Sequence, residues 1–279
     1  MLNKRDIKKY IESFAMSLKK KDVVPVIDIK REKDILKDKV VLIAGGTGGI
    51  GFAIAQACLQ SGGNVIIAGT NPKKIKKINE LYGSDKLKTM VFDYSKVSSF
   101  DVYLHNAINL FKRIDIFISC VGVHSEGIDF FNMSSSEYDR VMNINLKGTY
   151  FACQKISKYM IDSNIQGHIL LISSSRGSEP AWSPYGLSKW GMNGMIKGLA
   201  KELISKDIVV NGISPGSTAT ELLGIKKGDS IYANDNHIER MTMPQEVGNL
   251  AVMLVSEAGN MIVGENIHIS GGRGVWDIR

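Results

Sequence analysis

Tyr185 and Lys189 are the residues of this chain whose types and spacing most directly suggest chemistry. Four residues apart in a helix, the phenol and the ammonium would lie on one face, one turn apart. Ser183 and Pro184 suit the N-cap and the first helical position, so a helix is predicted to begin beside the tyrosine. A phenol has a pKa of about 10, and a nearby ammonium is expected to lower that pKa towards neutrality. The pair could therefore exchange a proton with a substrate oxygen.

A glycine-rich segment precedes this pair and follows the apolar run Val40–Ala44. Glycines between a buried strand and a helix let the backbone approach a pyrophosphate, whose charge is stabilised by the helix N-terminus. The spacing has two interpretations: Gly45, Gly49 and Gly51 fit one nucleotide-binding pattern, whereas Gly45, Gly48 and Gly51 fit another. Both predict a dinucleotide site. A dinucleotide beside an activated phenol indicates hydride transfer to or from a carbonyl.

From residue 40 onwards, short apolar runs alternate with helical patterns. The runs are rich in Val and Ile with little polar alternation, as in a parallel sheet that is buried on both faces. They cover residues 40–44, 64–68, 89–92, 114–119, 169–173, 208–213 and 266–269. The helical patterns include residues 51–60, 138–162, 184–205 and 245–256. This alternation predicts an α/β fold with an open parallel sheet.

Two segments fall outside the alternation. Residues 1–37 are predicted to be an N-terminal extension ahead of a single dinucleotide-binding and catalytic domain at 38–279. The extension carries an apolar helical stripe that must be buried on the domain or on a neighbouring subunit. The stripe consists of Ile7, Ile11, Phe14 and Leu18. Residues 221–243 are polar, and we expect them to form a substrate lid.

The composition excludes several classes of protein. Of the 279 residues, 44% are hydrophobic and 23% are charged, which is typical of a soluble globular protein. No apolar run reaches the roughly 18 residues of a membrane span, and the first residues lack the apolar core of a secretory signal. We therefore expect a cytoplasmic protein with reduced cysteines.

The distribution of charge argues against a nucleic-acid partner, and the spacing of the Cys and His residues argues against a metal site. Residues 1–39 hold 12 Lys/Arg and 7 Asp/Glu, so most of the net charge of +7 lies on the extension. The extension is either a solvated basic helix or a docking segment for an anionic partner. The domain is nearly neutral, which argues against nucleic acid. The three cysteines and five histidines show no ligand spacing, so we expect no metal site.

Further motifs fall in one recognisable order, and residues 38–279 resemble the short, single-domain branch of the short-chain dehydrogenase/reductase family. The matching positions are Asp93, Asn145, Ser174, Pro215, Gly216, Thr220 and the segment from Gly264 to Gly272. The resemblance implies a doubly wound, Rossmann-type sheet of about seven strands and a nicotinamide cofactor. A domain of this length leaves no room for the separate substrate domain of the longer branch. The length therefore settles the choice between the two glycine patterns in favour of the pattern of the short branch.

The resemblance also implies a catalytic tetrad of Asn145, Ser174, Tyr185 and Lys189. Tyr185 would protonate the carbonyl oxygen, and Lys189 would lower the tyrosine pKa and bind the nicotinamide ribose. Ser174 would hydrogen-bond the substrate oxygen, and Asn145 would hold a water that replaces the proton. The cofactor would be bound by Gly45, Thr47, Gly48, Gly49, Ile50, Gly51, Thr70, Asn71, Asp93, Tyr94, Cys120, Gly122, Tyr185, Lys189, Pro215, Gly216 and Thr220.

The end of the second strand indicates which dinucleotide is bound. A carboxylate there would accept a hydrogen bond from the ribose 2′-hydroxyl of NAD. This chain instead has Thr70, Asn71, Lys73 and Lys74, which would suit a 2′-phosphate. We therefore expect NADP, with NAD as the alternative.

Two positions depart from the family pattern. Ala44 replaces a threonine, and Ser119-Cys120-Val121-Gly122 replaces Asn-Asn-Ala-Gly, so the bracing of the cofactor cleft is altered. We expect Ser119 to supply one hydrogen bond and Cys120 to fill space. In the loop before Tyr185, Arg176 and Glu179 suggest a polar substrate, such as a phosphorylated or polyhydroxy compound.

The predicted function is NAD(P)-dependent interconversion of a small-molecule carbonyl and a secondary alcohol, as an NADPH-dependent ketone reductase. One alternative is reduction of a 3-oxoacyl chain on a carrier protein. The other is a non-catalytic protein that senses the dinucleotide. By the resemblance, we also expect a homodimer or homotetramer that assembles through the two long helices at 138–162 and 184–205.

Overall fold

The computed structural model describes residues 34–220, 225 and 228–275. The strands in this part of the chain are β1 (Val40–Ala44), β2 (Asn64–Gly69), β3 (Leu87–Val91), β4 (Ile116–Ser119), β5 (Gly167–Ile172), β6 (Ile208–Pro215) and β7 (Asn266–Ile269). The longer helices are α1 (Gly49–Gln60), α2 (Pro72–Tyr82), α3 (Phe100–Phe111), α4 (Ser135–Met142), α5 (Thr149–Asp162), α6 (Pro184–Leu203) and α7 (Pro244–Leu254). The strands form one parallel sheet in the order β3-β2-β1-β4-β5-β6-β7.

The sheet order reverses between β1 and β4, and this reversal determines where a ligand can bind. From β1 the chain proceeds outwards to β2 and β3, then returns to place β4 on the other side of β1. The two strands end in register, with Ala44 opposite Ser119. In such sheets, ligands bind in the crevice outside the carboxyl ends of the strands at this switch point. The glycine turn after β1 and the loop after β4 therefore border one crevice.

Helices cover both faces of the sheet because alternate side chains of each strand point to opposite faces. On β1, Val40, Leu42 and Ala44 pack against α3, α5 and α6, while Val41 and Ile43 pack against α1 and α7. All five side chains are buried. The core therefore consists of two apolar layers, one on each side of the sheet.

The predicted α/β fold with seven strands is confirmed, and each predicted strand lies within two residues of the observed bounds. The predicted helix at 138–162 begins earlier, at Ser135, and is interrupted by the π-helical turn Asn143–Gly148 between α4 and α5. Helices α2 and α3 were not among the predicted segments. None of the described helices is long and apolar enough to cross a membrane.

The N-terminal extension is described only from Asp34 onwards, so its predicted apolar stripe lies outside the described residues. Leu36 is fully buried, packs with the core layer that contains α1 and α7, and donates its backbone N–H to the carbonyl of Ser61 at 2.8 Å. The segment just before β1 therefore contributes to the core of the domain.

Candidate active site

The turn between β1 and α1 requires glycine at three positions. Gly45 has a φ of +75°, and a Cβ on it would lie 2.8 Å from the carbonyl of Cys120. A Cβ on Gly51 would overlap the carbonyl oxygen of Gly45, and one on Gly49 would lie 2.7 Å from Cγ2 of Thr220. Side chains at these positions would displace the turn. The structure therefore favours the spacing of Gly45, Gly49 and Gly51.

Helix α1 begins at this turn and presents an uncapped N-terminus to the crevice. Gly48 is its N-cap residue, and no side chain accepts a hydrogen bond from the first turn. A Cβ on Gly48 would have room, since the nearest atom would be the Gly45 oxygen at 3.5 Å. Thr47 approaches the end of β2, where its Oγ1 would lie 2.6 Å from a Cβ on Gly69. Backbone N–H groups and the helix dipole together favour a pyrophosphate here.

Backbone hydrogen bonds brace the glycine turn in place of the missing threonine side chain. The Cys120 N–H donates to the carbonyl of Ala44 at 2.8 Å, which ties the loop after β4 to the end of β1. The Gly46 N–H donates to the carbonyl of Ala68 at 3.0 Å, which ties the turn to β2. The substitution of alanine at position 44 therefore leaves the turn anchored on both sides.

The departures after β4 have structural roles. Ser119 Oγ and Tyr94 Oη are 3.0 Å apart and form a buried hydrogen bond. The Tyr94 ring packs on Phe92 and Phe100 and is 2% exposed. The ring is therefore not available to the adenine, which could contact only the Tyr94 backbone and the neighbouring Asp93. Burial raises the pKa of the Cys120 thiol, which agrees with a space-filling role.

The end of β2 carries no carboxylate. Thr70, Asn71, Lys73 and Lys74 are all exposed there. Asn71 Oδ1 accepts hydrogen bonds from the N–H groups of Lys73 and Lys74 at 3.0 and 3.2 Å, so this residue caps α2. Sequence reasoning assigned Asn71 to the cofactor alone and missed this capping role, although Asn before Pro72 is a typical helix start.

Tyr185 lies at the beginning of α6, as predicted. Ser183 is the N-cap, and its Oγ accepts from the Gly186 N–H at 3.2 Å. Burial raises the pKa of Tyr185 above its ordinary value, while a hydrogen bond from Ser174 and the charge of Arg176 lower it. The net direction is upward, so the expectation that this pKa is lowered towards neutrality is wrong for the protein alone. Desolvation of the phenolate outweighs the charged neighbours.

Lys189 occupies the predicted face of α6 but directs its ammonium to the sheet. Its Nζ lies 5.7 Å from the centre of the Tyr185 ring and donates to the carbonyl of Ile172 at 2.8 Å. The side chain is 3% exposed, and burial lowers its pKa from 10.5 to about 8. A Cβ on Gly122 would lie 3.5 Å from Nζ, so the loop after β4 passes next to the ammonium.

Asn145 is buried in the π-helical turn and connects three elements. Its Oδ1 accepts from the Val123 N–H, and its Nδ2 donates to the Val123 carbonyl, both at 2.8 Å. Nδ2 also donates to Ser188 Oγ on α6 at 3.1 Å. The amide therefore holds the loop after β4 against α6. Both polar atoms of the side chain have protein partners. π-helical turns occur frequently at functional sites.

A buried polar network supports the turn that carries Ser174. Ser173 Oγ donates to Asn193 Oδ1 at 2.6 Å, and Asn193 Nδ2 donates to the Gly177 carbonyl at 3.0 Å. Asn266 Nδ2, on β7, donates to the same Asn193 oxygen at 2.9 Å. Asn193 is one helical turn beyond Lys189. Sequence reasoning missed Asn193, because a single Asn in a helical pattern gives no sign that its side chain contacts the end of a strand.

A pocket of 230 Å³ opens in front of Tyr185. It is lined by His124, Ser125, Ile128, Met133, Arg176, Pro180, Ala181, Trp182, Ser183, Tyr185 and Gly186. The edge of the His124 ring meets the Tyr185 ring, with 6.2 Å between centres. Sequence reasoning pointed to Arg176 as a pocket residue and missed Ile128 and Met133. The last two belong to a loop without a motif. Among the described residues, no three His, Cys, Asp or Glu side chains could hold a metal.

The predicted lid is described at residue 225 and from residue 228 onwards, and ion pairs tie it to the pocket loop. Arg273 Nε donates to Glu179 Oε1 at 2.7 Å, and its Nη1 pairs with Asp235. Arg273 Nη1 also donates to Ser217 Oγ at 3.1 Å. Ser217 follows Pro215 and Gly216, so the loop after β6, the lid and the pocket loop share one arginine.

Comparison with known proteins gives consistent matches over nearly the whole domain. Residues 44–273 match the family described as "Enoyl-(Acyl carrier protein) reductase". The chain is 32% identical over 245 residues to the 3-oxoacyl-[acyl-carrier-protein] reductase FabG of Aquifex aeolicus, covering 85% of this chain and 98% of the relative.

Two solved structures are similar as well. A short chain dehydrogenase from Bacillus anthracis has a TM-score of 0.77 and 26% identity, covering 88% of this chain and 100% of that one. A variant of ElxO with NADPH bound has a TM-score of 0.76 and 26% identity, covering 84% and 98%.

The glycine geometry makes a testable distinction between neighbouring positions. We expect Gly51→Ala to lower the free energy of unfolding by about 1–3 kcal/mol or more, because the new Cβ meets backbone that cannot move aside. Gly48→Ala should change it by less than about 1 kcal/mol. Urea denaturation of the two variants and the wild type measures both. Equal losses would contradict the assigned glycine spacing.

The buried ammonium predicts a pH-dependent stability. Below pH 8, Lys189 is charged in both folded and unfolded states, and folding carries the full cost of burying the charge. As the pH rises towards 10.5 this cost vanishes, so the wild type should gain roughly 3 kcal/mol of unfolding free energy relative to Lys189→Met. Denaturation of the wild type and Lys189→Met at pH values between 8 and 10.5 measures this gain. Lys197→Met, a substitution at an exposed position, is the control. A constant difference between the wild type and Lys189→Met would contradict the burial of a charged lysine.

Proposed function

The chain belongs to the short-chain dehydrogenase/reductase family of NAD(P)-dependent oxidoreductases that act on CH–OH groups, and we propose that it reduces a ketone to a secondary alcohol with NADPH. One observation carries this proposal: Tyr185 and Lys189 lie on one face of α6 between the glycine turn and a pocket. A proton donor and a hydride donor can thus meet on one carbonyl group.

The residues of the crevice fit a dinucleotide. The glycine turn excludes side chains where a pyrophosphate would approach, and the uncapped N-terminus of α1 supplies N–H groups for its charge. Thr220 lies over the same turn, against Gly49. Lys189 would hold the ribose of the nicotinamide half, and Asp93 would border the adenine. The bound nicotinamide supplies a hydride to the carbonyl carbon.

The protein's own groups handle the proton. Ser174 hydrogen-bonds the Tyr185 hydroxyl and would orient the substrate oxygen towards it. Because burial keeps Tyr185 protonated at neutral pH, its hydroxyl is ready to donate as negative charge develops on that oxygen. The ammonium of Lys189 stabilises the phenolate that remains. Asn145 acts by positioning, since it holds the loop that faces Tyr185.

We assign the cofactor preference to NADP on the charge at the end of β2. A 2′-phosphate would meet Thr70 and two exposed lysines, Lys73 and Lys74, and no carboxylate would repel it. The ElxO variant with NADPH bound supports this assignment by analogy. NAD is the alternative, because the chain has no arginine at position 70 to bind a phosphate through two hydrogen bonds.

A second candidate function is reduction of a 3-oxoacyl group on a carrier protein. The observation in its favour is the identity of 32% to the Aquifex aeolicus reductase of that name, over 98% of its length. The chemistry at Tyr185 would be the same. The two candidates differ in what surrounds the ketone in the pocket.

The assembly and location are also proposals. Tyr150 on α5 and Trp190 on α6 are each 49% exposed, and Leu187 is 38% exposed. Exposed apolar side chains on these two helices support a homodimer or homotetramer that buries them. Among the described residues, Cys58, Cys120 and Cys153 form no disulfide, which supports a reducing compartment such as the cytoplasm.

Tyr185→Phe separates an enzyme from a dinucleotide-sensing protein. The variant keeps the ring and loses the proton, so we expect ketone reduction to fall by about 10²–10⁴-fold while NADPH binds as before. Loss of NADPH absorbance in the presence of a ketone panel measures the first, and nicotinamide fluorescence measures the second. Tyr82→Phe, at the exposed end of α2, is the control.

The outcomes of the Tyr185→Phe experiment distinguish the proposed enzyme from the alternatives. Unchanged turnover in Tyr185→Phe would contradict the role of the phenol as proton donor. Joint loss of turnover and binding would assign Tyr185 a structural role. A wild type that binds NADPH but reduces no ketone would support the sensing alternative.

A further inference from the structure

Arg176 carries a fixed positive charge into the pocket in front of Tyr185. Of the described residues that line this pocket, it is the only Lys or Arg, and none is Asp or Glu. The remaining wall combines polar residues, such as His124 and Ser125, with the apolar Ile128, Met133 and Trp182. An anionic group on a substrate would therefore meet the charge of Arg176. Glu179, the carboxylate that pairs with Arg176, is not among the lining residues and also pairs with Arg273.

The structure holds Arg176 in place while using only part of its hydrogen-bonding capacity. Its backbone N–H donates to Ser174 Oγ at 3.2 Å, and its Nη1 donates to Glu179 Oε2 at 3.0 Å. Glu179 also pairs with Arg273, so its charge is shared between two guanidinium groups. A guanidinium has five N–H donors in a planar fork that matches a carboxylate or a phosphate. The side chain is 54% exposed, so a ligand can reach it.

The charge is also close to the reacting end of the pocket. Arg176 lowers the pKa of Tyr185 through its charge, and its main chain is bonded to Ser174. The anionic group and the carbonyl must then be near each other in the substrate. At 230 Å³ the pocket is small compared with the several hundred Å³ of sites for larger ligands, which favours a compact molecule.

We propose that the substrate is a small carbonyl compound with a nearby anionic group, a carboxylate or a phosphate, and that Arg176 binds this group. The inference rests on the proposed function, since it takes Tyr185 as the donor to the carbonyl. It also separates the two candidate functions. A carrier-bound 3-oxoacyl group presents a neutral thioester beside its ketone, whereas a free oxo acid or a phosphorylated ketone presents a charge.

Binding measured by calorimetry on the full chain saturated with NADP⁺ tests this without turnover, because the oxidised cofactor cannot reduce a ketone. Three probes are titrated: acetoacetate for the carboxylate, dihydroxyacetone phosphate for the phosphate, and methyl acetoacetate as the neutral match of the first. We expect at least one anion to bind about tenfold more tightly than the ester. The better anion identifies the class.

Two substitutions assign the preference to Arg176. Arg176→Gln should remove the preference for the anion and leave binding of the ester unchanged, while Arg176→Lys, which keeps the charge but loses the fork, should retain part of it. Lys197→Gln removes a positive charge from an exposed position on α6 and should keep the full preference. Thermal unfolding of each variant confirms that the fold is intact.

The outcomes distinguish this inference from the function on which it rests. Equal affinity for acid and ester, or a preference that survives Arg176→Gln, overturns the role of Arg176 while leaving ketone reduction in place. Absence of NADP⁺ binding in the preliminary titration counts against the proposed function instead. The anionic probes are then titrated into the protein without cofactor. The difference in anion affinity between the wild type and Arg176→Gln still tests the role of Arg176.

Discussion

The burial of one ammonium group constrains the whole active site. Lys189 is 3% exposed, and burying a charge costs several kcal/mol unless partners compensate for it. The protein supplies the carbonyl of Ile172 at 2.8 Å, at the end of β5. This contact fixes how α6 lies on the sheet, and the orientation of α6 in turn places Tyr185 at the pocket and Asn193 under the Ser174 turn. The geometry of the candidate site therefore depends on this contact between a helix and a strand end, together with the hydrogen bonds of Asn145 and Asn193 and the apolar packing of α6.

Much of the fold could be predicted because its causes are local. Strand β1 has the predicted bounds, since a run of buried apolar residues in a parallel sheet can be recognised without knowing its partner strands. Strand β7 also has the predicted bounds, although its four residues are only partly buried. The start of α6 was predictable from Ser183 and Pro184, whose side chains act within one turn. Helix α2 was missed, although Ile75, Ile78 and Tyr82 recur at helical spacing, because most of its residues are polar and none is fully buried.

The features that were not predictable depend on burial and on distant contacts. The i, i+4 spacing placed Tyr185 and Lys189 on one face, but it could not show that desolvation raises the tyrosine pKa. The motif marked Asn145, but its role in holding Val123 arises from packing between segments 22 residues apart in sequence. Arg273 and Asn193 have no motif at all. They contact the site only because the sheet brings β5, β6 and β7 together.

The central claim is that the crevice between the glycine turn and Lys189 binds a nicotinamide dinucleotide, with the 2′-phosphate on the side of Lys73 and Lys74. Its most direct test is titration of the purified protein with NADPH and, separately, with NADH, followed by nicotinamide fluorescence. We expect saturable binding of both dinucleotides, with NADPH bound about tenfold more tightly. Tighter binding of NADH would contradict the assignment at the end of β2, and binding of neither would contradict a dinucleotide site in this crevice.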